Sequence, residues 1–213
     1  MRSTILLVLT VPSLFLACEK GSARPKEKPV EATAAGKLAG VFPDRFDCAS
    51  IMSTDALGQV LGAPTRAIDS PSSVPRGLPR PCTYEVATVN APEYWTFDFD
   101  CRDGYKQRAD ALFDQYRKYN ADRIEQYNKL SDAGAFKPND AGTEYKQPGA
   151  PSEVAVGAKA LDHNDQGLIF IDDDAPCYVR VIGPDGLRRL ELAKAVAKNL
   201  TYVNAPMTPR SLK

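Results

Sequence analysis

Hydrophobic and polar residues alternate along much of this chain, and the period of the alternation predicts its secondary structure. Residues 81–88 and 94–101 alternate with a period of two, which is typical of strands, and the turn-forming residues between them predict a hairpin. Residues 153–157, 167–172 and 177–183 are predicted as further strands, with a second hairpin joining the last two. The sequence therefore predicts a mainly antiparallel sheet of about five strands.

Three segments carry the longer period of an amphipathic helix. The first, residues 53–62, begins with Ser53 or Thr54 as its cap and ends at Gly62. The second, residues 103–130, repeats apolar residues on one face, and the third is residues 184–200. Helices that alternate with groups of strands predict an α+β domain, and we expect the helices to pack on one face of the sheet.

The N-terminal sequence is typical of an export signal. A basic residue, Arg2, precedes a mostly apolar run that is too short to span a membrane, so residues 1–17 are predicted as a signal peptide. Cys18 follows Ala17 as in a bacterial lipobox, which predicts that Cys18 is lipidated, with palmitate among its acyl chains. Cleavage at 21–23 by an ordinary signal peptidase is the alternative, and both versions export the protein.

The remaining chain divides by composition. Residues 18–41 contain charged, Pro, Ala and Gly residues and few large apolar ones, which predicts a lipidated cysteine followed by a flexible tether. Residues 42–202 form the single domain, and residues 203–213 are predicted as a loose tail. We expect the lipid bilayer as a partner through Cys18: the outer membrane if the cell has one, otherwise the outer face of the plasma membrane.

Four further cysteines lie in the predicted domain, at Cys48, Cys82, Cys101 and Cys177. In an exported protein an even number of cysteines predicts disulfides, here two, with three possible connectivities. The hairpin makes a Cys82–Cys101 bond geometrically possible. We favour Cys48–Cys82 with Cys101–Cys177, because these bonds tie the first helix to the sheet and join two distant strands.

The cysteine positions, together with several short patterns, resemble one family. A cysteine before "STDALGQVLG", a second in "CTYEV", then "VAVGAKAL", "CYVRV" and a final "LAKAVAKNL" are similar to small bacterial envelope lipoproteins best known from actinobacteria. These carry a domain of unknown function with a PsbP-like fold. The resemblance covers about residues 48–200. The long helix predicted at 103–130 is a difference from the compact members of the family. It implies an α/β fold and an envelope location, and no reaction.

Candidate chemistry is sparse. The only histidine, His163, lies in a polar segment and is expected to be an exposed loop residue, so the sequence lacks the parts of a nucleophilic catalyst. A calcium-loop pattern is a weak match, and a turn explains it equally well; its oxygen donors are Asp162, Asn164, Gln166 and Asp173. We therefore expect no catalytic residue, no resident metal and no cofactor.

The remaining features indicate binding. Lys plus Arg and Asp plus Glu each number 27, and this balance gives no reason to expect a nucleic-acid partner. Trp95, Phe97 and Phe99 share a strand face that we expect the tyrosines of the long helix to cover, with either a packed core or a ligand cavity between them. The predicted function is a non-enzymatic binding or interaction module of the envelope, contacting an envelope protein or a small apolar ligand. The alternatives are a metal-assisted hydrolase and a carrier of a small apolar ligand.

Overall fold

The computed structural model describes residues 38–69, 73–134 and 149–211. The helices of these ranges are α1 (Thr54–Leu61), α2 (Tyr105–Asp132) and α3 (Gly186–Asn199). The strands are β1 (Leu38–Ala39), β2 (Thr65–Ile68), β3 (Cys82–Val86), β4 (Glu93–Asp100), β5 (Ser152–Glu153), β6 (Lys159–His163), β7 (Gly167–Ile171), β8 (Tyr178–Ile182) and β9 (Arg210–Ser211). The predicted signal peptide, Cys18 and most of the predicted tether lie outside the described residues.

Seven of the strands form one sheet, in the order β2-β3-β4-β8-β7-β6-β5, in which every neighbouring pair is antiparallel. It consists of two meanders, β2 to β4 and β5 to β8, joined where β4 pairs with β8. The predicted α+β class and antiparallel sheet are confirmed. The sheet is wider than the five strands expected, because β2 and β6 lie in segments that the sequence pattern presents as loops.

The helices cover both faces of the sheet. Trp95, Phe97 and Phe99 enter the larger core, which contains residues of α1 and α3. On the opposite face, Phe113 and Tyr116 of α2 pack with residues of β6 and β7. The structure thus differs from the prediction that the helices pack on one face of the sheet. Every residue of β7 is buried, so both faces of that strand need a covering helix.

Helix α1 begins and ends where the sequence predicts. The side chain of Ser53 accepts a hydrogen bond of 3.2 Å from the backbone N–H of Ala56, which satisfies one of the free donors of the first turn. Gly62 ends the helix in the left-handed region with φ of 72°, a conformation that glycine adopts without steric cost. The buried Leu57 and Leu61 then hold α1 on the core.

Two disulfides link the domain, Cys48–Cys82 and Cys101–Cys177, in the connectivity that we favoured. The β3–β4 register places Cys82 opposite Phe97, so the alternative partner Cys101 lies four residues too far along the strand. Tyr178 pairs with Asp100, and the next pair in this antiparallel register is Cys177 with Cys101. The loops that the bonds close span 34 and 76 residues, and each contributes about 4 kcal/mol in the chain-entropy account.

Both ends of the described chain pack on the domain. Strand β1 pairs with β9, and the buried Ala205 and Met207 belong to the larger core. Residues 203–211 are therefore ordered by apolar contacts and strand pairing, in contrast to the loose tail predicted there. Ala39 is also fully buried, which places the start of the domain a few residues before the predicted boundary at 42.

Candidate ligand-binding pocket

A pocket of about 270 Å³ opens on the sheet face that α2 only partly covers. We call it the proline pocket, because the proline-rich loop before β3 forms one wall. Its apolar lining consists of Val74, Pro75, Leu78, Pro79, Pro81, Phe99 and Leu112, the last from α2. Its polar lining consists of Ser73, Asp98, Asp100, Tyr178 and Arg180. Segments that are distant in sequence thus combine apolar walls with a polar floor.

The loop is suited to form a persistent wall. Pro75, Pro79 and Pro81 each have a restricted φ, which reduces the number of conformations available to this stretch. A short backbone turn, in which the N–H of Leu78 donates to the carbonyl of Pro75 at 3.1 Å, folds the loop back on itself. The Cys48–Cys82 disulfide holds the residue that follows the loop. The wall is therefore anchored at its C-terminal end.

The floor is built by the register of the two central strands. Asp98 on β4 lies directly opposite Arg180 on β8, and Arg180 donates from Nε and Nη2 to Oδ2 of Asp98 at 3.1 and 2.7 Å. Both hydrogen bonds end on the same oxygen. No described residue donates to Oδ1 of Asp98, although the side chain is only 21% exposed. Only one of the two oxygens of the Asp98 carboxylate therefore accepts a hydrogen bond from the described residues.

The second carboxylate of the floor is fully engaged. Arg102 donates to both oxygens of Asp100 at 2.9 and 2.6 Å, and Arg108 does so at 2.8 and 2.7 Å. Burial by itself would raise the pKa of Asp100, but these hydrogen bonds from two guanidinium groups lower it well below its usual range. Asp100 therefore stays ionised and has little capacity left for a ligand.

The other polar groups of the floor have raised pKa values. Burial raises the pKa of Asp98, against the opposing effect of Arg180. The pKa of Tyr178 is raised by burial and then by the charges of Asp100 and Asp98. The pKa of Arg180 is also raised. Burial by itself would lower this pKa, but the negative charge of Asp98 raises it by more. Burial and the neighbouring charges thus perturb all three of these groups, as they often do at ligand sites.

The sequence did not predict this site. Its apolar wall lies in a stretch whose Pro and Ser content indicates only a loop, and its floor combines β4 with β8. One signal was present: Asp98 and Asp100 alternate with the aromatic residues of β4 and therefore lie on the face away from the larger core. Acidic residues at alternate positions of a strand that is central in the sheet indicate a polar feature on its second face.

His163 is buried, contrary to the predicted exposed loop position. It ends β6, has 2% of its surface exposed, and contacts the rings of Tyr116 and Tyr119 of α2 edge-on. Its Nδ1 accepts a hydrogen bond of 3.2 Å from the backbone N–H of Asp165, so Nε2 carries the proton of the neutral ring. That Nε2 and the Oδ1 of Asn120 are buried without a hydrogen-bond partner among the described residues.

The structure does not bring the weak metal candidates together. Asp162 accepts two hydrogen bonds from the buried Arg189, at 3.0 and 3.2 Å, while Asn164 is exposed in the following turn. Asp173 lies beyond the other end of β7, about 15 Å or more away by strand length. In the described ranges, no group of three or more His, Cys, Asp or Glu side chains is placed to hold a metal ion.

The aromatic residues of β4 and the tyrosines of α2 lie on opposite faces of the sheet. Trp95, Phe97 and Phe99 pack in the larger core, and Tyr116 packs in the smaller one. The sheet separates the two groups, so neither the packed core expected between them nor a cavity there is formed. The proline pocket borders on α2 through Leu112 instead.

No protein family model, curated protein or solved structure matches this chain. Its function has to be inferred from the residues of the described domain and from the sequence before it.

The ion pair between Asp162 and Arg189 gives a stability prediction. Replacing Asp162 with Ala leaves the guanidinium of Arg189, which is 1% exposed, without its charged partner. We expect Asp162→Ala to lower the free energy of unfolding by about 3 kcal/mol, as for other broken buried pairs. Asp173→Ala removes an exposed carboxylate and is expected to change it by less than about 0.5 kcal/mol. Urea unfolding measures both, and equal values for the two variants would contradict the structural role of Asp162.

The buried His163 gives a pH prediction. Burial, with the nearby charge of Arg123, lowers its pKa, so the folded protein binds fewer protons than the unfolded chain, whose histidine has a pKa of about 6.5. Its contribution to stability is therefore complete above about pH 6.5 and is lost as the pH falls towards the folded pKa. Unfolding measurements between pH 7 and 5 should show this loss in the wild type and a shallower one in His163→Phe. If the stability of the wild type and of His163→Phe falls equally with pH, groups other than His163 cause the pH dependence.

Proposed function

We propose that this protein is an exported lipoprotein whose domain binds a small amphipathic ligand in the proline pocket. Cys18 carries the lipid anchor, and the following residues tether the domain to the membrane surface. The site is expected to bind rather than transform its ligand. The observation that carries the proposal is the combination of apolar walls and a carboxylate floor in one pocket.

Export is supported by the disulfides. Cys48–Cys82 and Cys101–Cys177 are the kind of bond that persists outside the cytoplasm, in an oxidising compartment. None of the described helices is long and apolar enough to cross a bilayer. Lipidation of Cys18 is the proposed link to the membrane: the outer membrane if the cell has one, otherwise the outer face of the plasma membrane.

Ligand binding is supported by the size and lining of the pocket. An apolar cavity of about 150 Å³ admits benzene, so a pocket of about 270 Å³ accommodates a ligand of roughly ten non-hydrogen atoms. Apolar walls with a few polar groups are typical of small-molecule sites, because the walls supply affinity and the polar groups set orientation. We place this proposal before an envelope-protein partner because the pocket is a defined concave site.

Membrane anchoring makes a direct prediction for Cys18. The wild-type protein, expressed in a bacterium that processes lipoproteins, should sediment with the membranes and carry the mass of a diacylglyceryl group on Cys18. Cys18→Ser removes the only acceptor of the lipobox, so the protein should lose that mass and its membrane association. Fractionation followed by intact mass measurement checks both.

The matched control for this variant keeps the anchor. Ser22→Leu disrupts the alternative cleavage site at 21–23 and should leave the sedimentation unchanged. A wild-type mass that begins at Arg24, without lipid, would contradict the anchor while leaving export intact. Four thiols that react only after reduction would accompany either form.

Binding in the pocket is tested by filling it. Leu112→Trp adds volume at the wall, so it should weaken binding of a neutral probe, 1-hexanol, by about fivefold or more. Leu130→Trp changes the same helix at a position that is 46% exposed and outside the pocket, and should bind hexanol as the wild type does. Two-dimensional NMR titration gives the affinity and shows which backbone amides shift.

The location of the shifts decides the outcome. Shifts at Val74, Leu78 and Leu112 that are saturable in the wild type and weaker in Leu112→Trp would support the pocket as the site. Shifts of equal size in both tryptophan variants, or shifts confined to other surfaces, would contradict it. The spectrum of each free variant shows whether it is folded.

A further inference from the structure

The geometry points to a ligand with one positive charge: we infer that the proline pocket recognises an ammonium group attached to a short apolar body, with Asp98 accepting a hydrogen bond from that group. This inference rests on the proposed function, since it names the chemical class of the ligand that the pocket binds. It follows from three properties of the floor.

The first property is the free acceptor. Both hydrogen bonds that Asp98 receives from Arg180 end on Oδ2, and Oδ1 receives none from the described residues. A carboxylate oxygen has room for two donors, and a primary ammonium group has three N–H donors to offer. The floor therefore has an acceptor that such a ligand can complete without displacing Arg180.

The second property is the engagement of the cations near the pocket. Arg102 and Arg108 are both committed to Asp100 through short hydrogen bonds. Arg180 is held by Asp98. An anionic ligand would meet only the N–H groups of Arg180 that Asp98 does not use, beside that carboxylate, whereas a cationic ligand meets a carboxylate oxygen that is still free.

The third property is the pairing of the charges around the floor. Asp100 faces two guanidinium groups, those of Arg102 and Arg108, whereas Asp98 faces only that of Arg180. Asp98 is therefore the less neutralised of the two carboxylates, and its pKa is raised because burial and the charge of Asp100 outweigh Arg180. A cation placed beside Oδ1 interacts with this carboxylate in a partly desolvated site, where such interactions are stronger than in water.

The aromatic lining is compatible with the same ligand. Tyr178 and Phe99 border on the pocket beside the carboxylates. The face of an aromatic ring attracts an ammonium group, and its edge packs against a hydrocarbon chain. The prolines and Leu112 then cover the apolar body. A neutral apolar ligand would use the walls and leave Asp98 with the same unsatisfied oxygen.

A charge series on one apolar body tests the inference. The probes are n-hexylammonium, 1-hexanol and hexanoate, titrated at pH 7 into the protein with both disulfides formed. The expected order of affinity is hexylammonium, then hexanol, then hexanoate, with at least a tenfold difference between the two charged probes. Two-dimensional NMR locates each probe, and Leu112→Trp should weaken all three.

The role of Asp98 is tested by Asp98→Asn, which keeps the shape of the side chain and removes its charge. The preference for hexylammonium over hexanoate should fall to about twofold or less. Asp114→Asn removes a charge from an exposed position of α2, with 80% of the side chain accessible, and should keep the full preference. A wild-type titration at lower pH gives a second readout, because protonation of Asp98 should weaken hexylammonium and leave hexanol unchanged.

The outcomes separate the two proposals. Hexanoate binding as tightly as hexylammonium, with Leu112→Trp still weakening both, would overturn the cationic class and leave the pocket as a binding site. No saturable shift at the pocket with any probe would overturn the pocket itself. A preference for hexylammonium that persists in Asp98→Asn and at low pH would overturn the assignment to this carboxylate.

Discussion

The pairing of β4 with β8 is the contact on which the rest of the domain depends. It joins two antiparallel meanders that would otherwise be separate sheets with exposed edges. One register places three cross-strand pairs: Phe97 with Val181 in the larger core, Asp98 with Arg180 at the pocket floor, and Cys101 with Cys177 at the end of the strands. A shift by one residue would exchange the two faces of β4, so the core, the pocket and the disulfide are specified together.

The sequence predicts those parts of this arrangement that depend on local patterns. Alternation in 82–86 and 93–100, the cap at Ser53 and the even number of cysteines were sufficient for the hairpin, the first helix and the α+β class. The continuous apolar run of β7 also carried information, since a strand buried on both faces needs a helix on each side. The expectation of helices on one face leaves this burial unexplained, because one face of β7 would then be exposed.

The remaining features depend on contacts between distant segments. His163 is flanked by Asp162 and Asn164, so nothing local indicates that α2 covers it; its burial depends on the tyrosines that α2 brings to β6. Arg189 is charged and yet buried in α3, because Asp162 and the carbonyl of Gly183 reach it from other elements. The proline pocket is similar, since its wall and floor come from segments that only the completed sheet brings together.

The chemistry of the floor is difficult to explain as a device for stability. A buried ion pair often contributes no more to folding than an apolar pair of the same volume, since desolvation of the charges offsets their attraction. The adjacent pair, Phe97 with Val181, shows that these strands accept apolar partners on their other face. Asp98 retains a raised pKa even with Arg180 beside it, so the pair leaves part of its desolvation cost uncompensated. A polar pair with a free acceptor, placed under apolar walls, is instead what recognition of a polar group requires, because a ligand that covers this oxygen without offering a donor leaves it unpaired.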